Sequence, residues 1–140
     1  MIELEVRAFL ESDEADVAAL WARVFPDTRA WNQPGAYIQR KLAVQRELFL
    51  VGGLDGRVVA TVLAGYDGVR GWVYHLAVAP EQRRQGFGRT LMAAAEARLR
   101  ALGCAKINLQ IMRTNADVVR FYERAGYAIE DRISMGKRLP

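Results

Sequence analysis

Two Asp-Gly pairs separate three apolar segments in the middle of the chain, and this arrangement restricts the possible folds more than any other feature. The segments are residues 48–54, 57–66 and 71–79, and the pairs between them are Asp55-Gly56 and Asp67-Gly68. Asp-Gly between apolar runs is a strong β-hairpin signal, because both residue types tolerate the positive φ angles of a tight turn. The three segments are therefore predicted to form an antiparallel meander.

Periodic patterns predict further elements before the meander. Residues 2–8 alternate apolar with mostly charged side chains, which is the pattern of a half-buried strand. Apolar residues at helical spacing then predict a first helix after a cap at Ser12 or Asp13. A second helix is predicted from Pro34, a residue favoured in the first turn, to about Gln45.

The second half of the chain predicts two helices, each followed by a strand. The first pair is a helix at 88–102 and a strand at 105–111, and the second is a helix at 115–125 and a strand from 127 to about 138. Strand–helix–strand crossovers are right-handed, so strands 71–79 and 105–111 are predicted to lie parallel in one sheet. We expect a single domain over residues 1–140, with a sheet of about six or seven strands.

Charge and cysteine content narrow the range of partners. The chain carries 20 Lys and Arg against 16 Asp and Glu, and its net charge of +4 suits an anionic ligand. A nucleotide cofactor and a nucleic acid both fit this charge. Cys104 is the only cysteine, so no internal disulfide can form and a cytoplasmic location is expected. No segment is long enough to span a bilayer, and no membrane partner is expected.

A loop with two glycines joins the third strand of the meander to the helix that follows. Gly86 and Gly88 free the backbone to turn its amides toward one point, and the helix start adds unpaired N–H groups. Arg83, Arg84 and Arg89 add positive charge, and arginine can hold two phosphate oxygens at once. The pattern indicates a phosphate site. The alternative is that the glycines only shape a loop and the arginines are a solvated face.

The loop can be compared with known phosphate-binding motifs. The loop lacks the Gly-Lys-Ser or Gly-Lys-Thr of a Walker loop and the third glycine of a Rossmann turn. Its Arg-x-x-Gly-x-Gly pattern at Arg83, Gly86 and Gly88 closely resembles the Gcn5-related N-acetyltransferase (GNAT) superfamily. Residues 76–80 resemble that family's strand before the loop, and residues 115–126 resemble its second signature.

The chain is thus identified as a small bacterial-type member of this superfamily. The resemblance implies an α+β acyl-CoA N-acyltransferase (GNAT) fold, with a central twisted mixed β-sheet flanked by about four helices. It also implies acetyl-coenzyme A as acetyl donor, held in an opening between two parallel strands that splay apart. No metal is expected.

The resemblance assigns roles to residues one by one. It implies that the pyrophosphate lies on the amides of 84–88 and that the pantetheine arm follows the preceding strand. Tyr122 is implied near the thioester sulfur, where its hydroxyl can protonate the departing thiolate. The implied cofactor-binding residues are Leu76, Val78, Arg83, Arg84, Gln85, Gly86, Phe87, Gly88, Arg89, Thr90 and Asn115.

Two of these residues have a purely structural alternative. Tyr122 shares helical spacing with Val118 and neighbours Phe121, so it can be a packed aromatic. Asn115 stands where a helix cap is expected, and capping explains it without any ligand.

The acceptor side of the site is less defined. In the branch of the family that acetylates protein N-termini, a glutamate serves as base on the strand after the crossover, and Gln110 stands at the matching position, where an amide cannot take the proton. His75, the only histidine, has a side chain that can act as a base near neutral pH or be structural. Tyr74, Glu47 and ordered water rank below it as candidates, and no base is assigned. By family analogy Trp31 and Asn32 border the acceptor site, although Trp31 can equally anchor its loop.

The resulting functional hypothesis is an acetyl-coenzyme A-dependent N-acetyltransferase. It transfers the acetyl group by direct attack of a primary amine that belongs to a small molecule or a peptide N-terminus, and it acts as a monomer or homodimer. A sensor domain that binds acyl-coenzyme A without turnover is the alternative. A basic nucleic-acid-binding module ranks below both, because the chain lacks an aromatic RNA-binding motif and a basic recognition helix.

Overall fold

Five strands and four α-helices are the main elements of the part of the chain that the structure describes. The structure is a computed structural model that describes residues 3–25 and 32–140. In chain order the elements are β1 (Glu5–Ala8), α1 (Glu14–Val24), α2 (Pro34–Leu42), β2 (Phe49–Leu54), β3 (Arg57–Tyr66), β4 (Gly71–Val78), α3 (Phe87–Ala101), β5 (Ile107–Asn108) and α4 (Ala116–Arg124). This is the α+β composition expected from the sequence.

The strands form one mixed sheet in the order β1-β2-β3-β4-β5. Neighbouring strands pair antiparallel from β1 to β4, whereas β4 and β5 pair parallel, as the crossover through α3 requires. Asp55 and Gly56 have φ angles of 52° and 78°, so the β2–β3 connection is the tight turn that Asp-Gly predicts. The meander and the parallel crossover are both confirmed.

Aromatic stacking fixes α1 on the sheet. Phe9 and Phe49 stack with their ring centroids 4.4 Å apart, and the Trp21 ring stacks on Phe49 at 5.8 Å. The buried side of α1 consists of Val17, Leu20 and Trp21, which recur at helical spacing and therefore share one face. Among the described residues, no helix combines the length and the apolar character needed to cross a membrane.

Two predicted elements are shorter than their sequence patterns indicate. Helix α2 ends at Leu42, and Gln45 adopts a φ of 51° instead of continuing the helix. The Gln45 side chain accepts a 2.8 Å hydrogen bond from the N–H of Tyr66 and donates a 3.0 Å bond to its carbonyl, so it serves the end of β3. Strand β5 contains only Ile107 and Asn108 of the seven residues at 105–111.

The predicted last strand is wrong, since residues 127–140 contain no strand. Ile129, Ile133 and Met135 are 77%, 90% and 91% exposed. Their alternation imitates a strand, but a strand forms only where a neighbouring strand accepts its backbone hydrogen bonds. The described sheet therefore has five strands, not six or seven.

The chain divides into two compact units, Met1–Gln110 and Ile111–Pro140. The first contains the sheet with α1, α2 and α3, and the second contains α4. Gly126 follows α4 with a φ of 98°, as expected for a glycine that ends a helix.

Candidate active site

The loop between β4 and α3 exposes its backbone. Residues 83–86 are all exposed, and Arg84 and Gly86 have φ angles of 66° and 80°. Phe87 follows with only 4% exposure, so its side chain belongs to the core and fixes the first turn of α3. Of the residues assigned here to the cofactor, Phe87 can therefore contribute its backbone and not its ring.

Several loop side chains form hydrogen bonds within the loop. Arg83 donates from Nε to the Val78 carbonyl at 3.3 Å, and Gln85 donates to the Gln82 side chain at 3.0 Å. The Thr90 hydroxyl donates to the Gly86 carbonyl at 3.0 Å. These bonds hold the turn in place. Arg83, Gln85 and Thr90 therefore stabilise the loop itself, whether or not they also contact a ligand.

The loop fits a phosphate group. A Cβ atom built on Gly86 would meet no atom within 4 Å, so open space lies in front of this backbone. Gly86 is also the N-cap of α3, where the first amides of the helix have no intrahelical partner and the helix dipole favours an anion. Arg84 and Arg89 are exposed beside it.

Strand β4 offers an edge that β5 covers only at one end. The two strands pair at Gly71 with Ile107 and at Trp72 with Asn108, and β5 ends there. Leu76 and Val78 lie farther along β4, beyond this pairing, and both are half-buried. Beyond Trp72, β4 therefore has no paired strand on its β5 side among the described residues.

A β-bulge interrupts β4 at His75. Thr61 pairs with Ala77 and Leu63 pairs with Tyr74, so His75 and Leu76 together face the single residue between Thr61 and Leu63. His75 has a φ of 49°, a conformation that residues other than glycine rarely adopt. Bulges redirect side chains and occur often beside active sites.

A chain of two hydrogen bonds holds this bulge. The indole N–H of Trp21 donates to the Thr61 hydroxyl at 2.9 Å, and that hydroxyl donates to the His75 carbonyl at 3.0 Å. Thr61 is fully buried, and its bond with Trp21 lies in the core, whereas its bond with the His75 carbonyl is partly buried. Helix α1 is thereby tied to the irregular part of β4.

The His75 imidazole lies among three aromatic rings. Its centroid is 4.2 Å from that of Tyr37, 4.5 Å from Phe25 and 4.7 Å from Trp21. Burial disfavours the charged imidazolium and lowers the pKa of His75 to about 4. The ring is neutral at pH 7 and is a weak base, which argues against His75 as the residue that deprotonates an amine.

An open cavity of about 290 Å³ lies beside this cluster, lined by Trp21, Phe25, Asn32, Pro34, Tyr37 and His75. It brings together two of the sequence-based acceptor candidates, Asn32 and His75, while Trp31 lies outside the described residues. The sequence did not identify the other lining residues as part of a site. Trp21 and Phe25 lie one helical turn apart at the end of α1, and this spacing could have indicated that both side chains face the same region.

The remaining candidate residues are Gln110, at the end of the first unit, and Asn115 and Tyr122 in the second unit. Gln110 is exposed and lies two residues beyond the end of β5. Asn115 occupies the N-cap position of α4, but its side chain makes no capping hydrogen bond and is exposed. Capping, the structural alternative for this side chain, is therefore not realised.

Tyr122 is the buried aromatic of α4. It is 7% exposed, and its ring lies 5.1 Å from that of Phe121 and 5.5 Å from that of Tyr127. Burial raises the pKa of Tyr122 to about 12, so its hydroxyl remains a proton donor throughout the neutral range. Within residues 3–25 and 32–140, no group of three His, Cys, Asp or Glu side chains is placed to hold a metal ion.

Comparison with known proteins agrees with this architecture. The acetyltransferase (GNAT) family model matches residues 10–127. The acetyltransferase YE1169 of Yersinia enterocolitica is 41% identical over 136 residues, which cover 97% of this chain and 96% of that protein.

Two solved structures show the same fold at low sequence identity. Ard1 from Thermoplasma volcanium superposes with a TM-score of 0.81 at 23% identity, over 91% of this chain and 84% of that one. AAC(6')-Iy in complex with the bisubstrate analogue CoA-S-monomethyl-acetylneamine gives a TM-score of 0.81 at 14% identity, over 99% of each chain. The family model and the full-length relative together establish that this chain belongs to the GNAT family of acetyltransferases.

Proposed function

We propose that this acetyltransferase transfers the acetyl group of acetyl-coenzyme A to a primary amine of low pKa, such as the α-amine of a small molecule or of a peptide N-terminus. Acetyl-coenzyme A supplies the acetyl group as a thioester. The proposal treats residues 1–140 as one N-acetyltransferase domain, monomeric or homodimeric, in a cytoplasm where its single cysteine stays reduced.

The family assignment and the β4–α3 loop support the donor. The loop exposes its backbone at Arg84 and Gly86 and ends on the first turn of α3, which favours an anion. A structural neighbour, AAC(6')-Iy, was solved with a coenzyme A-containing analogue. We assign the pyrophosphate to residues 84–88 and the pantetheine arm to the uncovered edge of β4 at Leu76 and Val78.

The acceptor class rests on one observation: the described lining of the cavity contains no carboxylate. Its only titratable side chains are Tyr37 and His75, and burial keeps the imidazole of His75 neutral and weakly basic. Burial also raises the pKa of Tyr37, so its hydroxyl is protonated and cannot serve as a base at neutral pH. On this basis we propose that the acceptor amine enters the cavity largely in its neutral form.

This condition favours α-amines over lysine side chains. At pH 7.4 an α-amine with a pKa of about 7.7–8.0 is neutral in roughly a fifth to a third of the molecules, whereas a lysine amine near 10.4 is neutral in about one in a thousand. Only the neutral form has a lone pair for attack on the thioester carbon. Without a strong base, the difference appears directly in kcat/KM.

Tyr122 is the proposed acid. Attack of the amine expels a thiolate, and a phenol that donates a proton or a hydrogen bond to the sulfur stabilises that charge. Because burial raises the pKa of Tyr122 to about 12, its hydroxyl is available as donor over the whole working range. Asn115, whose side chain caps no helix, is proposed to contact the pantetheine arm.

The test is a pH profile of kcat/KM with two matched peptides, one with a free α-amine and no lysine, the other with a blocked N-terminus and one lysine. At pH 7.4 we expect the first to react faster by on the order of 100-fold, as the neutral fractions require. His75→Asn keeps a residue type that tolerates positive φ, and the shape of the profile should be unchanged. Faster reaction of the lysine peptide near neutral pH would refute the proposed acceptor class.

A further inference from the structure

The cavity beside His75 has walls made mainly of aromatic rings. Trp21 and Phe25 come from the end of α1, Tyr37 from α2 and His75 from the β4 bulge. Its volume of about 290 Å³ lies at the lower end of the range for small-molecule sites. An apolar cavity of about 150 Å³ already accommodates benzene. This cavity therefore has room for one phenyl or branched aliphatic group together with the carbon that bears an amine.

The lining of the cavity favours an apolar group on the ligand over a second charged group. Four of its described lining residues carry aromatic rings, and none of them is an Asp or Glu. A charged group gives up its hydration when it enters such a cavity, whereas an apolar group gains from leaving water.

The walls are held in place by bonds outside the cavity. Trp21 is fixed by its hydrogen bond to Thr61 and by stacking on Phe49, and His75 is fixed by its carbonyl bond to Thr61. Tyr37 meets the Trp21 ring edge-on at 5.7 Å. Walls that are already ordered lose little side-chain freedom when a ligand enters, which preserves the gain from burial.

From this geometry we propose that the aromatic cavity selects acceptors that carry an uncharged aromatic or branched aliphatic group next to the amine, such as the N-terminal residue of a peptide or an amino-acid-like amine. Tyr37, Phe25 and His75 are its specificity-determining residues. The inference rests on the proposed function only for the transfer step, because selection by the cavity is a property of binding.

The test compares four amides with the same α-amine group: those of phenylalanine, leucine, glycine and lysine. Equilibrium binding is measured by ligand-observed NMR with coenzyme A present, and kcat/KM is measured with acetyl-coenzyme A. We expect the phenylalanine and leucine amides to exceed the glycine amide by at least about 10-fold in both measurements. The lysine amide should fall to the level of the glycine amide or below.

Tyr37→Ala removes one wall and should reduce the ratio between the phenylalanine amide and the glycine amide in both measurements. Val44→Ala, at an exposed position just beyond α2, is the matched control and should change neither. Equal binding of the four amides, or tightest binding of the lysine amide, overturns the inference. Selective binding of the apolar amides without acetyl transfer would support the inference and refute the proposed function instead.

Discussion

The hydroxyl of Thr61 donates a 3.0 Å hydrogen bond to the carbonyl of His75, at the bulge where β3 and β4 change register. The same hydroxyl accepts the indole N–H of Trp21 at 2.9 Å. One buried side chain thus connects α1, the middle of the sheet and the wall of the aromatic cavity. Its loss would leave two buried polar groups without this partner.

Replacement of Thr61 tests this connection. Thr61→Val keeps the shape of the side chain but removes both hydrogen bonds, and each buried group left unpaired costs about 1–3 kcal/mol. We expect the free energy of unfolding in urea to fall accordingly. Thr61→Ser keeps the hydroxyl and should lose less. If the valine variant is as stable as the serine variant, the hydroxyl does not support the bulge.

A buried carboxylate near the N-terminus gives stability a defined pH dependence. Asp13 is 6% exposed and accepts bonds of 2.7 and 2.9 Å from the Arg7 guanidinium and 2.8 Å from the N–H of Leu10. Its hydrogen bonds with Arg7 are the main reason that its pKa lies below the ordinary value of 3.8. Because the folded state binds the proton less readily, this stabilisation is complete above that value and is lost as the pH falls through the lower folded pKa.

Asp13→Asn should therefore reduce stability at pH 7 and have little effect at low pH. We expect a loss of about 1–2 kcal/mol at neutral pH, since Arg7 is partly exposed and solvent weakens the pair. Urea unfolding of both proteins at several pH values between 7 and 2 measures this difference in the free energy of unfolding. Glu11→Gln breaks an exposed pair with Arg46 and should change little. A pH-independent loss in Asp13→Asn would contradict the account.

Gly86→Val tests the phosphate loop. The substitution strains a backbone with a φ of 80° and places a branched side chain in the open space in front of the loop. We expect binding of acetyl-coenzyme A, measured by calorimetry, to be largely abolished.

Gly68→Val is the matched control, because Gly68 has a φ of 95°, equally open surroundings and a place in the turn between β3 and β4. Both variants should be destabilised by about 1–3 kcal/mol through backbone strain. Only Gly86→Val should lose affinity. Unchanged affinity in that variant would remove the loop from the cofactor site.

Features decided by near neighbours were predictable from the sequence. The Asp55-Gly56 turn and the helix that follows the glycine loop depend on local conformational preferences and apolar spacing, and both formed as predicted. The bulge at His75 was not predictable, because it depends on Thr61 and Trp21, which are distant in sequence. The aromatic cavity joins residues of α1, α2 and β4, and of its described lining only Asn32 and His75 were predicted as site residues.

The tail shows the opposite error. Ile129, Ile133 and Met135 have the alternation of a strand, yet they are exposed and lie outside any strand. Alternation reports which face of a strand could be buried, but the hydrogen-bonding partner is a matter of tertiary structure. The candidate cofactor residues were identified through family resemblance, which carries information that periodicity lacks.

Tyr122→Phe tests the proposed acid by removing one oxygen atom. The ring and its contacts with Phe121 and Tyr127 remain, so the fold and the affinity for acetyl-coenzyme A should be preserved. We expect kcat to fall by roughly 10²-fold or more, as is typical when a general acid is lost. Tyr127→Phe removes a hydroxyl from the adjacent ring and should keep most of the activity.

Because the pKa of Tyr122 is raised to about 12, the wild-type rate should show no loss from ionisation of this residue below about pH 10. Equal rates in Tyr122→Phe and Tyr127→Phe would make Tyr122 a packing residue and assign protonation of the thiolate to another group or to water.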